Sequence, residues 1–540
     1  MFIKILRQHL YKISCFFALM LLFLSFSGCR KDTGSGPSSS DENGDSLSVK
    51  TRTVMDLTPS LIGNYPLSLG PYEFSVYKLP GYTTNDLISG DKWWYDAVVY
   101  EVFTTAFNDG ALPTTRLDYL KNYLGVDAVW TTPVFASPSD HGYDATNYYA
   151  VKPELGGNSA FTTYVSYAHQ LGLKVILDLV INHCSSQHPW FQDSKSSSSF
   201  YRNWFVWTNT NVDLSAWSLP WGGGSWNDVW HYSAGSYYYG GFWAGMPDFN
   251  LRNTNVFNFF KNVSYHYLVD KNVDGFRMDA VRYLIEESPG SGQRDTAATL
   301  TFLNNYMAYI NSIKDTALIV GEAWTSDDQT APYYDSGNGI SQAFYFDFYY
   351  QLLNTLQSGN NSSFNSLINS FPAIPRYFLS PFLDNHDELS GNNRLIDSLS
   401  GNTAKVKLAG GILLTFPGTP YIYYGTETGQ SKGSQTGDTA KRQPMDWTVV
   451  EQQQQDTNSV LNFYRKHIFL RGQEQSLRRG HIQTVSVDDS SLLCYLRSGS
   501  SGTYLVAANL SDTEEVFFAD LSSTALHNGQ TYEVYKLSIE

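Results

Sequence analysis

Cysteine is scarce in this sequence, with four in 540 residues. No CxxC or clustered Cys/His pattern accompanies them, which excludes a zinc-stapled or disulfide-built scaffold. Cys15 and Cys29 fall in the N-terminal leader, so only Cys184 and Cys494 remain in the body, and they read as two free buried thiols. Positive charge is in deficit: 36 Lys and Arg stand against 51 Asp and Glu, a formal net charge of −15. That balance repels phosphate backbones and excludes nucleic acid as a partner, while leaving a neutral substrate untouched. The apolar run Ile13 to Phe26 is short of the roughly 20 residues of a comfortable membrane span.

That run follows Lys4, Arg7 and Lys12 and reads as the core of a signal peptide over residues 1–28. Phe26-Ser27-Gly28-Cys29 then looks like a bacterial lipobox, in which Cys29 is acylated and becomes the mature N-terminus. The expectation is an exported lipoprotein at the outer membrane or cell surface, held to the membrane through its lipid anchor. Phe26 stands where Leu is usual, and ordinary signal-peptidase cleavage nearby is the alternative. Residues 29–50 are rich in Ser, Gly, Asp and Glu and predict a flexible tether. Residues 51–90 carry scattered apolar residues and turn signals but no motif, and sequence alone assigns them no role.

Aromatic residues are abundant at 15% of the chain, including 38 Tyr and 13 Trp. Such rings serve a large core or stack on the apolar faces of sugars. From Asp96 onward, short apolar runs alternate with helical stretches: 97–103, 128–132, 174–181, 275–278, 318–321, 343–346, 377–379 and 421–424. Eight near-continuous apolar runs separated by helices predict a parallel (β/α)8 barrel, an α/β fold, over residues 91–183 and 251–472. The third and fourth runs are separated by far more chain than a crossover needs. Residues 184–250, rich in Ser, Gly, Trp and Tyr, therefore predict a small domain inserted after the third strand. Residues 473–540 alternate in the β period and predict a C-terminal antiparallel β-sandwich domain.

Barrel chemistry sits at the C-terminal ends of strands. Here those ends carry Asp178-Leu-Val-Ile-Asn-His183, Arg277 with Asp279, Glu322-Ala-Trp324 and Asp384-Asn-His-Asp387. A retaining glycosidase needs two carboxylates at about 5–5.5 Å, one as nucleophile and one as proton donor. Arg277, two residues before Asp279 on the same strand, shares its face and would hold it ionised. Trp324 supplies apolar surroundings that would keep Glu322 protonated near neutral pH.

Five motifs in order resemble the α-amylase family, family 13 of the glycoside hydrolases: Asp178-Leu-Val-Ile-Asn-His183, Met246-Pro-Asp-Phe-Asn250, Gly275-Phe-Arg-Met-Asp-Ala280, Gly321-Glu-Ala-Trp324 and Phe382-Leu-Asp-Asn-His-Asp387. The second is similar to the group between the oligo-1,6-glucosidases and the neopullulanases. The resemblance implies Asp279 as nucleophile, Glu322 as acid/base and Asp387 as transition-state stabiliser. It implies that His183 and His386 bind sugar hydroxyls, Arg277 orients Asp279 and Tyr143 forms a stacking platform. Asp144 and Arg442 look like the polar pair closing that subsite.

The implied activity is hydrolysis of α-1,4-glucosidic bonds in starch, maltooligosaccharides or related α-glucans. Alternatives are an exo-acting α-glucosidase, a cyclomaltodextrinase or neopullulanase, a transglycosylase and, from another class, an inactive glucan-binding lipoprotein. All three expected carboxylates are present, which weighs against the last. Ala280, in place of the Val usual after the nucleophile of oligo-1,6-glucosidases, implies α-1,4 linkage. No cofactor is expected to be required. Calcium is the one candidate, with Asn182 as a ligand and Asp213 or Asp228 as further carboxylates. The loop Phe107–Thr115 is poor in ligands and Tyr283 stands where relatives have His, so calcium is expected to matter little.

Overall fold

A computed structural model describes residues 57–63, 67–79, 82–387, 389–517 and 534–539. The leader, the Cys29 lipobox and the tether lie outside the described residues. Among those described, no helix is long and apolar enough to cross a membrane.

Eight parallel strands form the expected barrel. Their order around the sheet is Leu379–Ser380, Gln342–Phe344, Leu318–Gly321, Gly275–Met278, Lys174–Leu179, Ala128–Thr131, Val99–Val102 and Tyr421–Tyr423. The ring closes where Phe382 bridges Tyr421 in parallel. These strands are buried on both faces, which is why their sequences run apolar without alternation. Gly275 is needed where its strand meets the next: a Cβ there would lie 2.2 Å from the Leu318 carbonyl oxygen.

The inserted segment carries its own antiparallel sheet of Trp207–Asn209, Trp230–Ser233 and Ser236–Tyr239. It is tied to the barrel by a bridge from His183 to Asp248 and closed on itself by one from Phe205 to Phe249.

Residues 57–63 and 67–79, left without a role by the sequence, belong to the C-terminal domain. Leu57–Gly63 pairs with Val534–Ile539, and Phe74–Leu79 pairs with Gly502–Asn509 inside a six-stranded antiparallel sheet. Leu67–Leu69 pairs separately with Glu515–Phe517. Alternation along this sheet sorts two faces. Tyr77, Cys494, Leu496, Leu505 and Ala507 pack with Leu67, Leu69 and Phe517 in a small second core. Val76, Leu493, Tyr495, Tyr504 and Val506 join the main core instead. Cys184 and Cys494 are both free and buried, as expected.

Candidate active site

The barrel register sets the site. Gly275–Met278 pairs residue for residue with Ile176–Leu179 on one side and Leu318–Gly321 on the other. Arg277 therefore lies beside Asp178, and Met278 beside Gly321. The next residues, Asp279 and Glu322, leave adjacent strands at equal height, where strands are about 4.8 Å apart. The turn behind them is stitched together: the Ala280 N–H donates to Glu322 Oε2 at 3.0 Å and the Val281 N–H to the Glu322 carbonyl at 3.2 Å. Ala280 sits at φ +51°, a left-handed conformation that a β-branched residue resists.

Arg277 is the hub of the site. Its buried guanidinium directs Nη1 to Asp279 Oδ1 at 2.6 Å and to both oxygens of Asp178 at 3.1 Å. Its Nη2 is 3.1 Å from Glu322 Oε2, so one cation bridges both expected catalytic carboxylates. Burial pushes the Glu322 carboxyl up to about 8, against the pull of Arg277 and with the charges of Asp279 and Asp387 adding to it. Burial also raises Asp279; the Arg277 guanidinium opposes that rise but does not reverse it, contrary to the expectation from spacing alone. The apolar walls around Glu322 differ from the expected one. Glu322 shares a small cavity with Trp130, Phe344, Phe382 and Tyr421. Trp324 instead stacks on Phe346 and donates its indole N–H to the Tyr350 hydroxyl.

A second network runs from the first strand. The Tyr143 hydroxyl donates to Asp178 Oδ2 at 2.9 Å, which uses its only proton. His386 Nε2, at 2.6 Å from the Tyr143 hydroxyl oxygen, must then be the donor. That leaves His386 Nδ1 as the acceptor for a proton on Glu101 Oε1, 2.6 Å away. The electrostatics agree. Burial carries Glu101 well above the usual carboxylate range, with Asp387, Asp384 and Asp178 adding to the rise against the pull of Arg277, and burial drops His386 to about 3. Tyr143 stacks on His386 with the rings 10° apart, forming a flat floor. Glu101 was legible only as a lone carboxylate in the apolar run Val98-Val-Tyr-Glu-Val102, a signal the motif reading passed over.

The other expected residues fall as follows. His183 is buried, its Nε2 is a buried atom with no hydrogen-bond partner in the protein, and burial drops it to about 3, so it remains neutral. Asp387 lies 3.4 Å from His386 Nε2 and 3.8 Å from Arg442 Nη2. Asp144 and Arg442 do not pair with each other. Asp144 accepts from the hydroxyls of Ser137 and Ser139, whereas Arg442 pairs with Asp438 at 2.8 Å and donates to the His386 carbonyl. Asp384, quoted only as part of a motif, proves to be a buried anchor for the loop bearing Asp387, ion-paired to Lys441 at 2.5 Å and Arg394 at 3.2 Å.

The expected calcium ligands form a poor donor set. Asn182 donates its Nδ2 to Asp248 Oδ2 at 3.1 Å, while its Oδ1 is buried with no protein partner. Asp213 and Asp228 are exposed and accept from the backbone of Ser215 and Ser225 in their own turns. In the loop after the first strand, Asn108 is engaged by Leu112 and Thr115. Calcium takes six to eight oxygens. Among the described residues, no three His, Cys, Asp or Glu side chains converge to supply them.

Residues 107–480 match the family Alpha-amylase, described as alpha amylase, catalytic domain. The chain is 31% identical to alpha-amylase 3 of Dictyoglomus thermophilum, over 79% of this chain and 87% of that protein. It is 28% identical to a probable alpha-glucosidase of Rhizobium meliloti, over 80% of this chain and 92% of that protein. The crystal structure of an alpha-amylase from H. orenii superposes with a TM-score of 0.67 at 27% identity, covering 82% of this chain and 99% of that one.

Proposed function

The chain belongs to the α-amylase family of glycoside hydrolases, and we propose that it is a retaining enzyme hydrolysing α-1,4-glucosidic bonds in starch and maltooligosaccharides. The supporting observation is the equal-height exit of Asp279 and Glu322 from adjacent strands, both held by one guanidinium. That neighbourhood suits a nucleophile and a proton donor on one glycosidic bond, without the wider gap an inverting enzyme keeps for water. In this reading Asp279 attacks the anomeric carbon as Glu322 gives its proton to the leaving oxygen. Glu322 then takes a proton from the water that releases the sugar. Asp387 stabilises the oxocarbenium-like transition state, and Tyr143 lies under the sugar ring. Digestion of soluble starch by the full-length protein tests the reading: mixed maltooligosaccharides support endo cleavage, glucose alone supports exo cleavage, and no reducing sugar overturns both.

Linkage choice follows from Ala280. Its left-handed φ and its place beside Glu322 leave a methyl where a Val side chain would crowd the cleavage subsite. A difference of one or two methylenes at such a position is worth roughly tenfold to a few hundredfold in kcat/KM. Maltotriose is expected to be cleaved at least about tenfold faster than isomaltose, measured as glucose release. The reverse order would refute α-1,4 preference.

Calcium is proposed to be dispensable, given the donor set described above. Treatment with EDTA is expected to leave most activity and to move the melting temperature by less than about 2 °C. A drop beyond about 10 °C, restored by added Ca²⁺, would mean several kcal/mol of binding linkage and a site built from other donors.

A further inference from the structure

Glu101 takes no part in the reaction steps given above, yet its side chain is only 2% exposed. It stands in register between Trp130 and Tyr423, on the two strands that flank its own. It lines the same small cavity as Glu322, with Arg277 and Asn385. Its Oε1 lies 2.6 Å from His386 Nδ1. The imidazole reaches onward from there: its Nε2 is 2.6 Å from the Tyr143 hydroxyl and 3.4 Å from Asp387 Oδ1. The sugar platform and the transition-state stabiliser of the proposed reaction thus meet one nitrogen of a ring whose other nitrogen belongs to Glu101.

Which nitrogen carries the ring proton decides whether that arrangement holds. With hydrogen on Nε2, the ring donates toward Tyr143 and turns a positive edge to the Asp387 carboxylate. With hydrogen on Nδ1, a lone pair would face that carboxylate, and the Tyr143 proton would have to turn to Nε2 and abandon Asp178. Hydrogen on Nε2 requires a donor at Nδ1, so Glu101 must keep its own proton. Its surroundings favour this. Facing Glu101 are His386, the anions Asp387, Asp384 and Asp178, the tyrosines Tyr421, Tyr423 and Tyr424, and Arg277. Arg277, the cation in that set, is already shared by Asp178, Asp279 and Glu322.

We infer that Glu101 is a positioning residue for glycosidic cleavage: as a neutral acid it fixes the tautomer and orientation of His386, and through His386 the places of Tyr143 and Asp387. This rests on the retaining-glycosidase reading of the site. Glu101 acts through the imidazole and not on the sugar. Its proton has a second effect, on charge. A further anion at Glu101 would press the other carboxyl groups of the barrel mouth toward their protonated forms, and a protonated Asp279 cannot attack.

Two variants of the full-length enzyme test this. Glu101→Leu fills much of the same space but leaves Nδ1 without a donor. Its kcat should fall about 10²-fold on maltotriose and on α-glucosyl fluoride alike, with KM little changed, because the groups displaced serve both substrates. Glu101→Gln presents an amide N–H to Nδ1 and carries no charge. It should recover most of the kcat that Glu101→Leu loses, with the alkaline limb of its pH profile still near pH 8. The tautomer is read without turnover, by NMR of wild-type enzyme labelled with ¹⁵N-histidine. With the His386 signals assigned by their absence from His386→Gln, Nε2 should be the protonated nitrogen and Nδ1 the bare one. A proton on Nδ1 in the wild type overturns the proposal, and so does wild-type kcat in Glu101→Leu. So does a Glu101→Gln enzyme as impaired as Glu101→Leu, or one whose alkaline limb moves by about one pH unit or more, the mark of a lost anion. If Glu101→Leu does not fold, the spectrum and the Glu101→Gln profile still decide. A wild-type enzyme that cleaves neither maltooligosaccharides nor α-glucosyl fluoride overturns the glycosidase reading itself, whatever the tautomer.

Discussion

Asp279→Asn is expected to lower kcat on maltotriose by about 10⁴-fold or more, because no other group can form the covalent intermediate when the nucleophile is an amide. Glu322→Gln should fail differently. It loses proton donation, a contribution of about 10²–10⁴-fold on natural glucosides. It should still react with α-glucosyl fluoride, whose leaving group needs no proton. The second step would then stall for want of a base, so a glucosyl-enzyme should accumulate on Glu322→Gln and not on Asp279→Asn. Intact-protein mass spectrometry reads that difference directly. The pH dependence has a definite sign. The active form has Asp279 ionised and Glu322 protonated, so kcat/KM should fall on the alkaline side as Glu322 loses its proton near pH 8. On the acid side it should fall as Asp279 is neutralised. In Glu322→Gln the alkaline limb should vanish. Near wild-type starch hydrolysis by either variant would refute the assignment.

Asp384→Ala is expected to destabilise the fold by about 3–5 kcal/mol, read as the loss in unfolding free energy from urea titration. Asp384 is a single buried anion between two buried cations, Lys441 and Arg394, and it also accepts the N–H groups of Asn385 and Leu395. Truncating it leaves both cations uncompensated in a region they cannot leave. Lys441→Met should cost less than half as much, because Asp384 and Arg394 remain a matched pair. Equal losses in the two variants would show that the cluster is not an electrostatic unit. Asp384→Ala should also depress activity beyond its effect on stability, since Asp387 and His386 follow directly on the loop it anchors.

Much of this enzyme was legible in sequence for a simple physical reason. Parallel barrel strands are buried on both faces, so they appear as apolar runs, and the charged residues that end them cannot be core residues. The runs, the strand ends with Asp279, Glu322 and Asp387, and the insertion after the third strand were all readable on that basis. The C-terminal sheet was only half readable: the alternation of Leu492–Gly499 and Gly502–Asn509 is local. Its partners Leu57–Gly63 and Phe74–Leu79 are more than 400 positions away in the chain. Period-two alternation shows that a strand exists but not which strand it pairs with.

The same limit applied within the site. Spacing put Arg277 and Asp279 on one face, but the net direction of the Asp279 shift depends on how much water the whole barrel excludes. Proximity in sequence suggested Trp324 as the wall around Glu322, whereas the wall comes from Trp130, Phe344, Phe382 and Tyr421 on other strands. Glu101 acquired a role only when closure of the ring brought the first strand against the loop after the seventh. The sequence by itself determined which residues are proposed to carry the chemistry, because a motif is a local pattern of side chains. The tertiary structure decided their protonation, their partners and the rings beside them, because desolvation and packing depend on every chain segment that excludes water from the same volume.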